Sequence, residues 1–562
     1  MRPIDGTVGN MHEHQLLVSA GDKPFHSLGD VQIPPLSKSL ELATMYFDVC
    51  IATYRMLHRP TVEHWLKKVV SNADNSLELS HGITRPQAAI ILAILAFASF
   101  HEAKVNSSVN SSDDSELSLR HADELFCESV RLVDGETGYP QLESAQARLI
   151  QVLYRLSSSR MNQAWYDFGH TVLIISALGL HRRKNRRKKN QPQDYVEEQC
   201  RKRTFWVAYT LDKYLGVVFG RPRHYHDEDI DQDLPDSIND EDMTSVGPSE
   251  IGTDDCHINA LIHHAMLARI AERISREVYS IKQIPEHERI TSAHILGSEL
   301  RKWKAQLPPI LGVVNPSSLI PSFRRQAIAL KISYCHAVIL VHRPFLLKNI
   351  YRHSQEIREL AEQGIDECIV AAKTVLEIVD RMAREGKLFH AFWWTHYVSF
   401  CALVVVYVWA IQRKNNDEDA AQSYPGIFDR AERCLNHLAQ ATATNSPSRR
   451  YSIILRELRT EAKKKFGRYL PTNISSHESV EQGLHESVAT PMCQPTNAIP
   501  GHGDHLFESP IEPTTSQLPG FLDDWQMTDW LDLDSSAFGP FPALGTESPD
   551  WIHDAARHAQ LS

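Results

Sequence analysis

The sequence predicts an all-α protein, a large domain of stacked helical hairpins between a flexible leader and an acidic tail. Three observations support this. Apolar residues recur at three- and four-residue intervals through most of residues 38–466, the spacing of a helix face. No stretch there alternates apolar and polar residues as a half-buried strand does. From residue 471 onward, 14 Asp and Glu stand against one base, Arg557, and the periodicity gives way to Pro, Ser, Thr and Gly. A chain of that composition buries too little apolar surface to fold alone.

Length and composition set the limits. At 562 residues and 42% hydrophobic content, one large domain or two or three ordinary ones can form a core. The tail accounts for the net charge of −11, and residues 1–470 sum to about +2. A nearly neutral body gives no electrostatic argument for binding nucleic acid. The nine cysteines lie at least 33 residues apart, so no C-x2-C pair or zinc finger can be drawn. Their odd number and scatter point to reduced thiols inside the cell. No basic-then-apolar signal peptide opens the chain, so the sequons at Asn106 and Asn110 read as a polar loop.

Taken in order, residues 1–37 show little periodicity and form the leader. Residues 39–70 read as helices, with Pro60 ending one and Thr61 starting the next. Residues 86–101, PQAAIILAILAFASFH, form a dense apolar helix, shorter than the roughly 20 residues a bilayer span needs. Residues 105–118 are a Ser/Asn/Asp loop. Helices follow over 121–132, 144–156 and 161–181. Residues 200–218 form another, with Val207, Leu211, Tyr214 and Val218 on its apolar face. Gly220 and Pro222 end it. Residues 227–233 then carry five carboxylates in seven positions, an arm that is exposed or paired with bases upstream. A polar linker over 236–255 leads to helices at 258–281, 285–307, 322–347 and 355–384. Residues 388–411 lack any Asp, Glu, Lys or Arg. With His390, His396 and three tryptophans, they read as a buried core helix rather than a membrane span.

Several of these stretches carry a resemblance. The order Arg201, Lys202, Arg203, Phe205-Trp206, Leu211-Asp212-Lys213, Gly220-Arg221-Pro222, then the acids through Asp229 and Asp231 to Pro235, resembles the signature of fungal binuclear zinc-cluster transcription factors. More particularly, it resembles their middle homology region. "LHRPT" at 57–61, the Trp165, Gly169 and "LGLH" (178–181) pattern, and "HRPFL" at 342–346 resemble the same region. The resemblance covers about residues 40–450. It implies a helical regulatory domain and a nuclear regulator of RNA polymerase II transcription. It further implies an activator, of a metabolic or secondary-metabolite gene set, and no enzyme. It also implies DNA as a partner, bound directly or through another protein, and homo- or heterodimers, with no membrane. In that family a six-cysteine zinc cluster reads the DNA. That module is missing here, so no cofactor is expected in this chain, and zinc only with an upstream cluster. DNA targeting is then expected from such a segment or from a partner.

Two further features bear on function. Arg182, Arg183, Lys184, Arg186, Arg187, Lys188 and Lys189 surround one asparagine, a nuclear localisation signal, a phosphate-contacting patch or a solvated charged loop. In the tail, Phe521, Leu522, Trp525, Trp530, Leu533 and Phe538 interleave with Asp523, Asp524, Asp529, Asp532 and Asp534. Leu522, Trp525, Trp530 and Leu533 would share one face of a helix. This is the composition of an activation segment that folds on a coactivator, with acid repulsion keeping the aromatics exposed; the alternative is a solubilising tail that docks on its own body. The helical body is expected to hold or release this tail. Two other functions fit less well. One is a co-regulator that binds a zinc-cluster relative without touching DNA. The other is a helical small-molecule receptor or enzyme with a pocket at residues 388–411. Metal-like pairs at His224/His226, Cys256/His257 and His263/His264 lack a third ligand at fixed spacing. For Asp212, the alternatives are a lock on the Gly-Arg-Pro corner through a basic partner, or an ordinary exposed acid.

Overall fold

The computed structural model describes residues 22–25, 31–106, 112–183, 194–249, 255–280, 282–347, 353–385, 392–412, 426–440, 447–466, 530 and 533–534. Among them are fifteen α-helices and no named strand, only an isolated bridge between Met243 and Pro248. The all-α expectation holds.

The first layer comprises α1 (Leu36–Met45), a π turn at Tyr46–Cys50, and helices α2 (Arg59–Asp74), α3 (Arg85–Asn106), α4 (Ser112–Asp134), α5 (Leu142–Ser157) and α6 (Met161–Ala177). Helix α3 is its axis. It packs on α1, α2, α4 and α5, and its residues from Ala88 to Ala96 are fully buried. Next comes α7 (Tyr195–Phe219), then α8 (Ile258–Glu277), α9 (Glu286–Ala305), the short α10 (Pro309–Gly312) and α11 (Pro321–His342). The last helices are α12 (Gln355–Arg384), α13 (Trp393–Gln412), α14 (Ile427–Gln440) and α15 (Pro447–Phe466). Helix α12 packs between α11 and α13, and α15 closes over α13. One continuous apolar core runs from α1 to α15. Gln326 on α11 ties the halves together by donating to the carbonyls of Ala52 and His257, both at 2.9 Å.

Several expectations need correction. Pro60 ends no helix; it sits in the first turn of α2, where its missing N–H costs nothing. Residues 112–118 belong to α4 rather than to a loop. Helix α3 spans 22 residues, so length alone permits a membrane span; burial decides instead. In its most apolar window 78% of residues are buried, and in α13 89%. The sequence predicts one apolar face for helix α7, yet the helix is buried all round from Lys202 to Phe219, charged residues included. The leader is not wholly free. Asp22 accepts the Gln163 N–H at 2.8 Å, and Phe25 stacks on Phe126 with centroids 4.6 Å apart. Arg160 clasps that segment through the carbonyls of Lys23 and Pro24, while pairing with Asp123 at 2.7 Å. The polar linker over 236–249 buries Ile238, Asp240 and Met243.

The close approach of α9, α11 and α12 depends on two glycines. A Cβ on Gly364 would stand 2.5 Å from His342 Nδ1, and one on Gly297 2.9 Å from His342 Nε2. The His342 ring is therefore wedged between two helix backbones. Burial first, and then Arg301 and His294, push this imidazole down to about 3, so it sits neutral in its slot. Gly364→Ala is expected to destabilise the fold by about 1–3 kcal/mol, as overpacking does; urea unfolding of variant and parent measures it.

Candidate functional site

The signature residues converge on α7 and the strap that follows it. Asp194 caps the helix, its carboxylate accepting the Val196 N–H at 2.9 Å. Glu197 and Glu198 in the first turn suit the positive end of the dipole. Gly220 ends it with φ of +61°, the left-handed cap that favours glycine. The chain then reverses and runs back along α7 to its N-terminus.

Several signature residues pin different points of this strap. Asp212 is fully buried. Its carboxylate accepts the His224 N–H at 2.9 Å, the Tyr225 N–H at 3.1 Å and His224 Nδ1 at 3.0 Å, with Lys213 Nζ 3.4 Å away. Burial pushes this carboxyl up, but His224, Lys213 and the two backbone N–H groups outweigh it and hold it below the ordinary range. Asp212 is thus not an exposed acid, and most of its partners are main-chain and imidazole groups of the corner. Lys213 reaches the Tyr225 carbonyl and pairs with Glu272, which also holds Arg223 at 2.9 Å. Arg221 lies over Trp165 and Phe219 and donates to Asn162 at 3.1 Å. Pro222 is exposed beside it.

Further along, the Tyr209 hydroxyl donates to Asp227 at 2.7 Å and the Trp206 indole to the Asp233 carbonyl at 2.8 Å. Phe205 packs edge-on against Trp206 and Tyr225, and Leu211 is in the core. Arg201 holds the Leu178 carbonyl at 3.0 Å, fastening α7 to the corner after α6. Arg203 is fully buried. It pairs with Asp240 at 2.5 Å and donates to the Ile238 carbonyl at 3.0 Å. Asp240 in turn accepts the Arg59 N–H at 3.0 Å, so the strap end is tied to the start of α2. Burial raises the Asp240 carboxyl, and Arg203, Arg59 and His58 bring it below its usual value.

The acidic arm is both exposed and paired. Asp231 accepts the Arg183 N–H at 2.8 Å, and the Arg183 guanidinium pairs with Asp233. Asp229 is exposed. Arg182 stands 4.0 Å from Asp231. Lys184, Arg186, Arg187, Lys188 and Lys189 lie outside the described residues.

In the tail, Phe521, Leu522, Trp525 and Phe538 also lie outside them. Trp530 and Leu533 do not, and here the structure departs from exposed aromatics. Trp530 is 0% exposed and Leu533 4%, both within the body's core. Asp534 is buried with them and takes both arms of Arg343, with Nη1 to Oδ1 at 2.9 Å. The Arg343 guanidinium lies 5.1 Å over the Trp530 ring. Sequence reading missed Arg343 as a functional residue, although it sits in "HRPFL". A basic residue inside an apolar run signals a buried partner, but that partner is 191 positions away.

The metal-like pairs have other occupations. His257 stacks on Phe323 and lies 3.0 Å from Ser322 Oγ, while the His263 carbonyl accepts the Trp303 indole. His264 sits between Tyr54 and Tyr214, pushed down to about 3 by burial. Among the described residues no three His, Cys, Asp or Glu side chains are placed to hold an ion. An open groove of about 630 Å³ is lined by Phe25, Arg85, Phe126, Arg131 and Arg155 among others, and none of its lining comes from residues 388–411.

Comparison with known proteins shows what this geometry is similar to. Residues 43–305 match the fungal specific transcription factor domain. It is 25% identical over 433 residues to "Activator of stress genes 1" of Saccharomyces cerevisiae, covering 75% of this chain and 43% of that one. It is 24% identical over 446 residues to "Transcription factor FBD3" of Gibberella moniliformis, covering 75% and 57%. It is 25% identical over 342 residues to "Activator of stress genes protein 1" of Candida albicans, covering 54% and 33%. The chain therefore spans less than two thirds of each of these relatives. No solved structure matches it.

Asp212→Asn is expected to cost about 1.5–3 kcal/mol, the worth of hydrogen bonds to a charged group, measured by urea unfolding. The depressed carboxyls of Asp212 and Asp240 also set a pH window. Their stabilisation is present above the unfolded-state pKa of about 3.9 and is lost as pH falls through the lower folded values. Melting temperature should therefore fall below about pH 4, with a shallower acid limb in Asp212→Asn.

Proposed function

We propose that this chain is a nuclear regulator of RNA polymerase II transcription that activates through its acidic C-terminal segment. The match of residues 43–305 to the fungal transcription factor domain carries the reading, with the signature helix and its strap at the centre of that domain. The names of the relatives, among them activators of stress genes, support activation. So does the interleaving of acids with Phe521, Leu522, Trp525, Trp530, Leu533 and Phe538, which suits capture by an apolar coactivator groove. DNA is reached through a zinc cluster outside this sequence or through a partner, and the basic run at 182–189 directs nuclear import. The reading assigns no catalysis to the chain.

Residues 510–545 fused to an unrelated DNA-binding domain should activate a reporter, and Trp525→Ala with Trp530→Ala should abolish the effect. A silent fusion would overturn the activator reading.

A further inference from the structure

The best-built contact outside the signature helix joins two places far apart in sequence. Arg343 opens the turn after α11 and is 1% exposed; Asp534 is 0% exposed. A buried ion pair holds only when its geometry is good and its remaining hydrogen bonds are met. Here they are. Both Arg343 Nη groups engage the two Asp534 oxygens, and Nε donates to the Tyr279 hydroxyl at 2.9 Å. That hydroxyl donates onward to the Leu340 carbonyl at 2.7 Å, fixing its direction. Cys401 of α13 completes the wall, its Sγ 3.8 Å from Asp534 Oδ1 and 3.9 Å from Arg343 Nη1. Trp530 stacks beneath the guanidinium, adding a desolvated cation–π contact. Three elements of the body thus present a planar, bidentate cation and an apolar bed. That combination recognises an acid spaced four residues from a tryptophan on a helical turn.

The captured side chains are among those an activation segment needs. Trp530 and Leu533 cannot lie in the body's core and in a coactivator groove at once. We propose that the Arg343–Tyr279–Cys401 pocket is a receptor for the chain's own Trp530–Leu533–Asp534 motif, and that its occupancy withholds the segment from coactivators. The masking rests on the activator reading; the docking does not. Release then follows from anything that competes for Arg343 or separates α11 from α13.

The test uses the full chain and two readouts: reporter output with DNA targeting supplied by an added DNA-binding domain, and the native alkylation rate of Cys401 read by mass spectrometry. Arg343→Met leaves Asp534 buried without a partner, weakening docking by roughly a hundredfold or more. Cys401 alkylation should accelerate while Cys335, Cys368 and Cys434 stay protected, and reporter output should rise severalfold. Adding Asp534→Leu to Arg343→Met replaces the pair with apolar groups and should return both readouts toward the parent. If Arg343→Met exposes all four cysteines, the body has unfolded, and Asp534→Lys decides from the tail side, its expected sign being selective Cys401 labelling. Unchanged Cys401 labelling in Asp534→Lys overturns the docking. Selective labelling with unchanged output in Arg343→Met, while the isolated segment activates, overturns the masking. A silent isolated segment fails the activator reading alone, and the labelling result still judges the pocket.

Discussion

The fold depends on hiding charge in helix α7. Arg203, Asp212 and Lys213 sit at 1% exposure or less in the middle of the core. Unpaired, each would cost several kcal/mol, so the chain that follows must return to meet them. This requirement explains the strap. Gly220 turns the chain in a conformation few other residues tolerate. The backbone N–H groups of residues 224 and 225 then reach Asp212, and Asp240 reaches Arg203. The buried charges act less as a source of net stability than as an address, fixing one path for residues 220–242.

The same logic recurs at the other end of the body. Arg343 is a second buried cation that needs a carboxylate, and no acid near it in sequence supplies one. Asp534 does so from the tail. Burial alone would weaken the hold of Arg343 on its proton, but Asp534 and Tyr279 hold it well above its ordinary value. In both sites a fixed guanidinium selects which distant segment packs where. The strap is linked to its helix by a short connection and is a permanent part of the domain. The tail motif stands far along the chain, and its attachment depends on the contact itself.

Helix positions were largely legible in the sequence, because the 3.6-residue period survives wherever one face is buried. Helix α12 matched to the residue, since its apolar stripe is clean. Errors arose where local composition and packing disagree. Residues 112–118 look like loop by their Ser and Asp content, yet they extend the amphipathic α4. Lys202, Arg203, Asp212 and Lys213 look like a solvent face, because periodicity cannot show that a strap covers them. The corner could be placed from Gly220 and Pro222, but the identity of Asp212's partners could not, since they lie on the returning backbone.

What the sequence determined alone was the helical class, the family resemblance of residues 201–235 and the acid–aromatic character of the tail. These follow from local spacing and composition, which each segment carries with it. Tertiary structure decided which charged residues are buried and which are solvated. It also decided that Trp530 lies in the body's core rather than in solvent. Burial is a property of what packs against a residue, and for Arg343 and Asp534 that neighbour lies 191 positions away.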